Sequence, residues 1–119
     1  ANASGSNRIS FVTGLAGASL AGRYCTYAKW TATTTGAIVG VGYDSTTAFM
    51  AECAPNFLDI PAAVDAFPMQ AHFEKMSGDI GFHYVQACEW ANSAAAVTFY
   101  GDNALPLLIQ TGLSLTVHA

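Results

Sequence analysis

The sequence predicts an all-β protein, an antiparallel β-sandwich or jelly-roll-like barrel carrying an extended N-terminal arm. Three observations lead there. Short apolar segments recur between turn-forming clusters, the spacing expected of a sandwich or barrel. Two neighbouring segments within residues 67–91 alternate their faces with period two. Near the N-terminus, the run Gly14 to Gly22 is too glycine-rich for a stable helix and too small-sided for a good strand. A length of 119 residues fits one domain without room for a second core.

In chain order, Ala1 to Asn7 contain only Ala, Asn, Ser and Gly, a composition that cannot offset its own ordering entropy. Ile9 to Thr13 suits a short strand, and Gly14 to Gly22 is a run of small residues. Residues 1–22 are therefore expected to form an arm that orders on contact with something else, and residues 23–119 the sandwich. Arg8 to Gly22, a cation followed by apolar and small residues, is a weak version of a signal peptide. Its glycines and the missing initiator Met favour a mature arm.

Candidate strands are Arg23–Thr31, Ala37–Tyr43, Ala48–Cys53, Phe67–Met76, Ile80–Ala91, Ala95–Tyr100 and Leu107–Val117. Breakers separate them, among them Asp44-Ser45, Ala54-Pro55-Asn56, Ser77-Gly78-Asp79 and Gly101-Asp102-Asn103. Asn56 to Ala66 suits a short helical turn opening at Pro61. Gly78-Asp79 reads as a Gly-first two-residue hairpin loop. Pairing across it sets Phe73 against Tyr84, Ala71 against Gln86 and Met69 against Cys88 on a core face. Glu74 against His83 and His72 against Val85 then occupy the outer face.

Composition bounds the function. Apolar residues make up 52% and charged residues 10% of the chain, against roughly 25% charged in an ordinary soluble domain. Depletion of charge is what interface cores show, so the expectation is a subunit buried against neighbours. Four basic residues, Arg8, Arg23, Lys29 and Lys75, and a net charge of −4 do not make the basic stripe that nucleic-acid binding requires. Apolar runs break well before the roughly 18 residues of a membrane helix. Cys25, Cys53 and Cys88 are odd in number and lack a C-x-x-C pair, which fits three reduced, buried thiols better than a disulfide framework.

Chemistry-bearing constellations are sparse. On the expected hairpin, His72, Glu74 and His83 share the outer face, and their side-chain types suit zinc; a lone Glu–His pair on a polar face is the simpler reading. His72-Phe73-Glu74 matches half of the zinc deaminase signature, without its P-C-x-x-C. Ser19 departs from a nucleophile elbow, and His118 is the penultimate residue, a poor seat for a rigid base. Gly40-Val41-Gly42 lies inside a strand, where glycines permit a bulge or another backbone's close approach rather than a phosphate cradle. Tyr24, Tyr27, Trp30, Tyr43 and Tyr100 lie near strand ends, where exposed rings would stack on a sugar and buried ones would form core or subunit contacts. Asn2-Ala3-Ser4 is the one glycosylation acceptor sequence. No catalytic, cofactor or metal residue is assigned, and no enzyme activity is expected.

The glycine- and serine-rich N-terminus, the charge-poor β-body and the apolar C-terminal strand Leu107–Val117 together resemble a virion structural protein. The likeness is to small decoration or cement proteins of tailed phages, or to the protruding domain of an icosahedral capsid, in overall style rather than by motif. It implies a jelly-roll-like subunit in dimeric or trimeric clusters that locks or studs a shell of major capsid protein. It places the chain in the virion, assembled in the host cytoplasm. The alternative is a secreted, lectin-like sandwich that binds a glycan receptor.

Overall fold

Nine β-strands form among the residues that the computed structural model describes, namely 7–31, 35–60, 66–92, 97–100 and 111–118. They are β1 (Arg8–Thr13), β2 (Ser19–Trp30), β3 (Thr35–Tyr43), β4 (Cys53–Ala54), β5 (Asn56–Ile60), β6 (Ala66–Met76), β7 (Gly81–Ala91), β8 (Val97–Tyr100) and β9 (Gly112–His118). One sheet has the order β1-β7-β3-β5. The other runs β4-β6-β2, with β8 and β9 end to end along the free side of β2. Every pairing is antiparallel, and the sheets pack face to face as a sandwich.

Consecutive strands from β1 to β8 lie in opposite sheets, so none of them pairs with its neighbour in sequence. The pairings are nested instead. Arg8 lies opposite Gln86, Ser19 opposite Met76 and Thr35 opposite Ile60, each pair centred at or next to Thr47. Residues 8–60 and 66–91 therefore follow one long antiparallel ribbon, rolled until β3 meets β7 and β4 meets β6.

Rolling is favoured because each long strand has an apolar face to cover. From β2, Leu20, Tyr24, Ala28 and Trp30 point inward and are fully buried. They meet Val39 and Val41 of β3, Met69, Ala71 and Phe73 of β6, and Val85 and Ala87 of β7. Burying each larger side chain contributes about 1.5–3 kcal/mol.

Several expectations change. Residues 8–13 and 19–22 belong to the body: β1 pairs with β7 along its whole length, and Leu20 is core. Of the expected arm, residues 1–6 lie outside the described residues. Ala48–Ala51 is part of a loop over 44–52, and only Cys53–Ala54 pairs as a strand. Asn56–Ile60 is a strand on β3 rather than a helical turn, since its backbone completes the ladder beside Thr35–Val39; Pro61 lies outside the described residues. The Ser77–Ile80 segment is an arch between sheets and not a hairpin. Both edges of β6 are occupied, by β2 and β4, so β7 goes to the other sheet. The turn signal at Gly78-Asp79 is local, whereas the β2·β6 ladder spans eleven residue pairs.

Loop 44–52 folds back over the first sheet and needs glycine beneath it. A Cβ on Gly42 would lie 2.4 Å from the Ser45 carbonyl oxygen and 2.7 Å from that of Ala48. The Phe49 ring sits on Gly40. The close approach expected of Gly40-Val41-Gly42 is thus made by this loop.

Candidate functional site

β1, β6 and β7 meet the loops of one end of the sandwich, and there the chain exposes large apolar side chains. Val12 and Phe82 are direct cross-strand partners on the outer face of the first sheet, 71% and 68% exposed. Leu15 and Ile80 project from the loops that join the sheets, and Met76 stands on the outer face of the second sheet over Gly17. The five residues form an apolar collar around this end. Each of the five is exposed over more than half of its surface, and exposed apolar groupings of this kind mark interaction sites.

The collar has a hydrogen-bonded polar base. The Gly17 amide donates to the Ser77 carbonyl (2.7 Å) and the Ser77 amide to the Ala18 carbonyl (2.8 Å), tying loop 14–18 to arch 77–80. Two hydroxyls donate to the Asp79 carbonyl oxygen, Thr13 Oγ1 (2.8 Å) and Ser77 Oγ (3.0 Å), and His83 Nε2 lies 3.2 Å from it. His83 Nδ1 meets Asp44 Oδ2 at 2.6 Å, and Asp44 Oδ1 accepts the Tyr84 amide at 2.9 Å. Asp44 holds a left-handed backbone, φ 49°, a conformation that aspartate tolerates better than most residues. The His83 ring is buried, stacked on Tyr43 with centroids 5.2 Å apart and flanked by Phe11. The Asp44 carboxylate, aided by the Asp79 carbonyl and opposed by burial, raises His83 above the ordinary imidazole value.

An Asp–His pair suggests acid–base chemistry, but here both ring nitrogens are engaged and Ser77 is fully buried. The pair thereby joins loop 44–52 to arch 77–80.

A second feature lies on the outer face of the first sheet, towards its other end. Ile38, Thr47, Phe49 and Trp90 line a recess of about 330 Å³, and Phe57, the cross-strand partner of Ile38, stands exposed beside it. Between recess and collar, Arg8 covers this face. Its guanidinium lies 4.1 Å from the Tyr84 ring centroid, and Nε donates to the buried Gln86 Oε1 at 2.9 Å.

The residues singled out in the sequence are dispersed. His72 and Glu74 are on the outer face of the second sheet, whereas His83 points inward from the first. Among the described residues no group of three His, Cys, Asp or Glu could hold a metal ion. Ser19 and His118 are cross-strand partners, both exposed. The three cysteines are unpaired, Cys53 and Cys88 buried and Cys25 half-buried. Burial raises the Cys53 and Cys88 thiols, which lowers their reactivity. Tyr24 and Trp30 are core, and Tyr27 and Tyr100 pair across strands on the outer face of the second sheet. The collar was not evident in the sequence, because Val12, Met76 and Phe82 sit in strands where alternation alone leaves the solvent side undecided.

One further polar pair lies between the sheets. The Tyr24 hydroxyl donates to Glu89 Oε1 at 2.5 Å. Burial raises both groups, with the Glu89 charge adding to the shift of Tyr24 and the Tyr24 hydrogen bond opposing that of Glu89. Among the described residues no buried side-chain nitrogen or oxygen lacks a partner, and no helix is long and apolar enough to cross a membrane. Comparisons with protein-family models, curated proteins and solved structures find no match.

Proposed function

We propose that this chain is a non-enzymatic structural subunit that docks on protein surfaces, as a capsid-decorating or capsid-stabilising protein does. The collar carries this reading. It gathers five exposed large apolar side chains at one end of the sandwich, and it stands on a hydrogen-bonded base that needs little ordering on association. The occupant we assign is another copy of this chain, in a dimer or trimer, with major capsid protein as the further partner in a virion. The nested ribbon supports the jelly-roll form of the sandwich, an architecture used by capsid and lectin domains. Fold alone does not set function, so the weight stays on the collar.

Sedimentation at low micromolar concentration tests this. The wild type is expected to associate. Replacing Val12 and Phe82 together by Asp should give a monomer with an unchanged circular dichroism spectrum, since both side chains are exposed. A monomeric wild type would end the reading.

The sugar-binding alternative is favoured by one observation, the half-exposed Trp90 ring beside Phe49 and Thr47, since a ring face next to a hydroxyl suits a pyranose. Glycan-array binding lost on Trp90→Ala would support it, and no array signal would remove it.

A further inference from the structure

We propose that His83 is a proton-operated latch that holds arch 77–80 of the collar to loop 44–52. Its control of docking rests on the collar reading above; the latch itself rests on geometry. Asp44 Oδ2 and the Asp79 carbonyl oxygen, which face the two ring nitrogens at 2.6 and 3.2 Å, are both acceptors without a hydrogen. A neutral imidazole has one N–H and one bare nitrogen, so it satisfies one of them and sets a lone pair against the other. Only the imidazolium donates to both.

The direction of release follows from the partners. The carboxylate contact is shorter and charge-assisted, so the last ring proton stays on Nδ1 with Asp44. Deprotonation therefore frees Nε2 from the Asp79 carbonyl, the residue before Ile80. Asp44 keeps its hold on the Tyr84 amide, and loop 44–52 stays in place. The arch retains only the hydroxyls of Thr13 and Ser77 on that oxygen.

The groups around the ring agree with this polarity. From the loop come Asp44 and, further off, Glu52, which is paired with Lys75 of β6 at 3.0 Å. Lys75 lies 5.0 Å from the ring centroid of Tyr43, the β3 residue stacked on the imidazole. Asp79 contributes its charge from the arch. β1 presents uncharged Phe11 and Thr13, since Arg8 lies on the outer face over Tyr84. The folded-state value of His83 is raised, so the latch is fully closed below the ordinary imidazole value of about 6.5. It opens as the pH rises through the higher value that His83 has in the folded chain. Docking should accordingly be strongest on the acidic side and weaken towards alkaline pH.

The test uses the full chain, with nitrogen-15 spectra of the histidine rings, amide protection and sedimentation recorded from about pH 5.5 to about pH 9, across the imidazole range. In the wild type both His83 nitrogens should stay protonated beyond the ordinary value, and normalised protection of 77–80 should be lost as they deprotonate. His83→Gln and Asp44→Asn should each lack this pH dependence; asparagine also tolerates the left-handed backbone, so the second variant serves if the first does not fold. A bare His83 nitrogen below the ordinary value overturns the latch, as does unchanged pH dependence in a folded variant. A wild type that is monomeric at every pH, yet keeps the imidazolium and the pH-dependent protection, overturns docking and leaves the latch standing.

Discussion

β6 and β7 are adjacent in sequence and equal in length, eleven residues each, yet they distribute their side chains in opposite ways. β6 alternates cleanly: Met69, Ala71 and Phe73 are buried, while Gln70, His72 and Glu74 face solvent. β7 buries four successive residues, Val85 to Cys88, and turns its rings outward, with Phe82 and Trp90 exposed and Tyr84 under Arg8. The difference comes from what covers each outer face. Gln70, His72 and Glu74 leave the outer face of β6 open to solvent, whereas loop 44–52 covers Cys88 and the Arg8–Asn7 segment covers Gln86. A strand covered on both faces loses its alternation. β7 also carries its polar residues inward, His83 to Asp44 and Glu89 to Tyr24, so polarity along it marks dedicated partners rather than the solvent side.

The sharpest challenge to this contrast is Phe73→Ala. Truncating the buried ring on β6 should cost about 3–5 kcal/mol in a denaturant melt; a loss near zero would mean that β6 does not face the core. Next is Gly42→Ala, which asks whether the loop truly lies against the first sheet. The added methyl would meet two carbonyl oxygens at under 3 Å, and overpacking of this kind costs about 1–3 kcal/mol. The variant should also expose Cys88 to thiol reagents, and unchanged labelling would place the loop elsewhere.

Glu89→Gln probes the inward polarity of β7. Burial raises the Glu89 carboxyl, so the stability it confers is full below the ordinary value of about 4.3 and is lost as the pH rises through the raised value. Glutamine still accepts from Tyr24 and cannot ionise, so the variant should lack that decline in thermal melts. A parallel pH profile in wild type and variant would show that Glu89 is solvated. The smallest effect belongs to Glu74→Ala on the open face of β6, about 0.5 kcal/mol or less; a cost exceeding that of Phe73→Ala would reverse the faces of β6.

β6 was legible in the sequence because one face is apolar and the other wet, and that is why Phe73 and Glu74 fall where their alternation sets them. β7 departs from its expected faces for a physical reason: Tyr84 looks like a core ring and His83 like a surface base, until Asp44 and Arg8, both distant in sequence, supply partners. The collar was illegible for a related reason, since an exposed Val or Phe in a strand has the same local pattern as a buried one.

By itself the sequence determined the all-β class, the breaks near Asp44, Pro55 and Gly78, the inward face of β6, and the room that Gly40 and Gly42 leave for another segment. These are local properties, set by side-chain period and backbone freedom. Only the tertiary structure decided which strands pair, because a period-two face requires a covering layer without specifying the strand alongside. Nesting about Thr47 puts β6 and β7 in different sheets, draws β1 and the start of β2 into the body, and carries Asp44 and Asp79 to the two nitrogens of His83. Those partners come together only when the ribbon rolls, so the site at its end is a property of the roll.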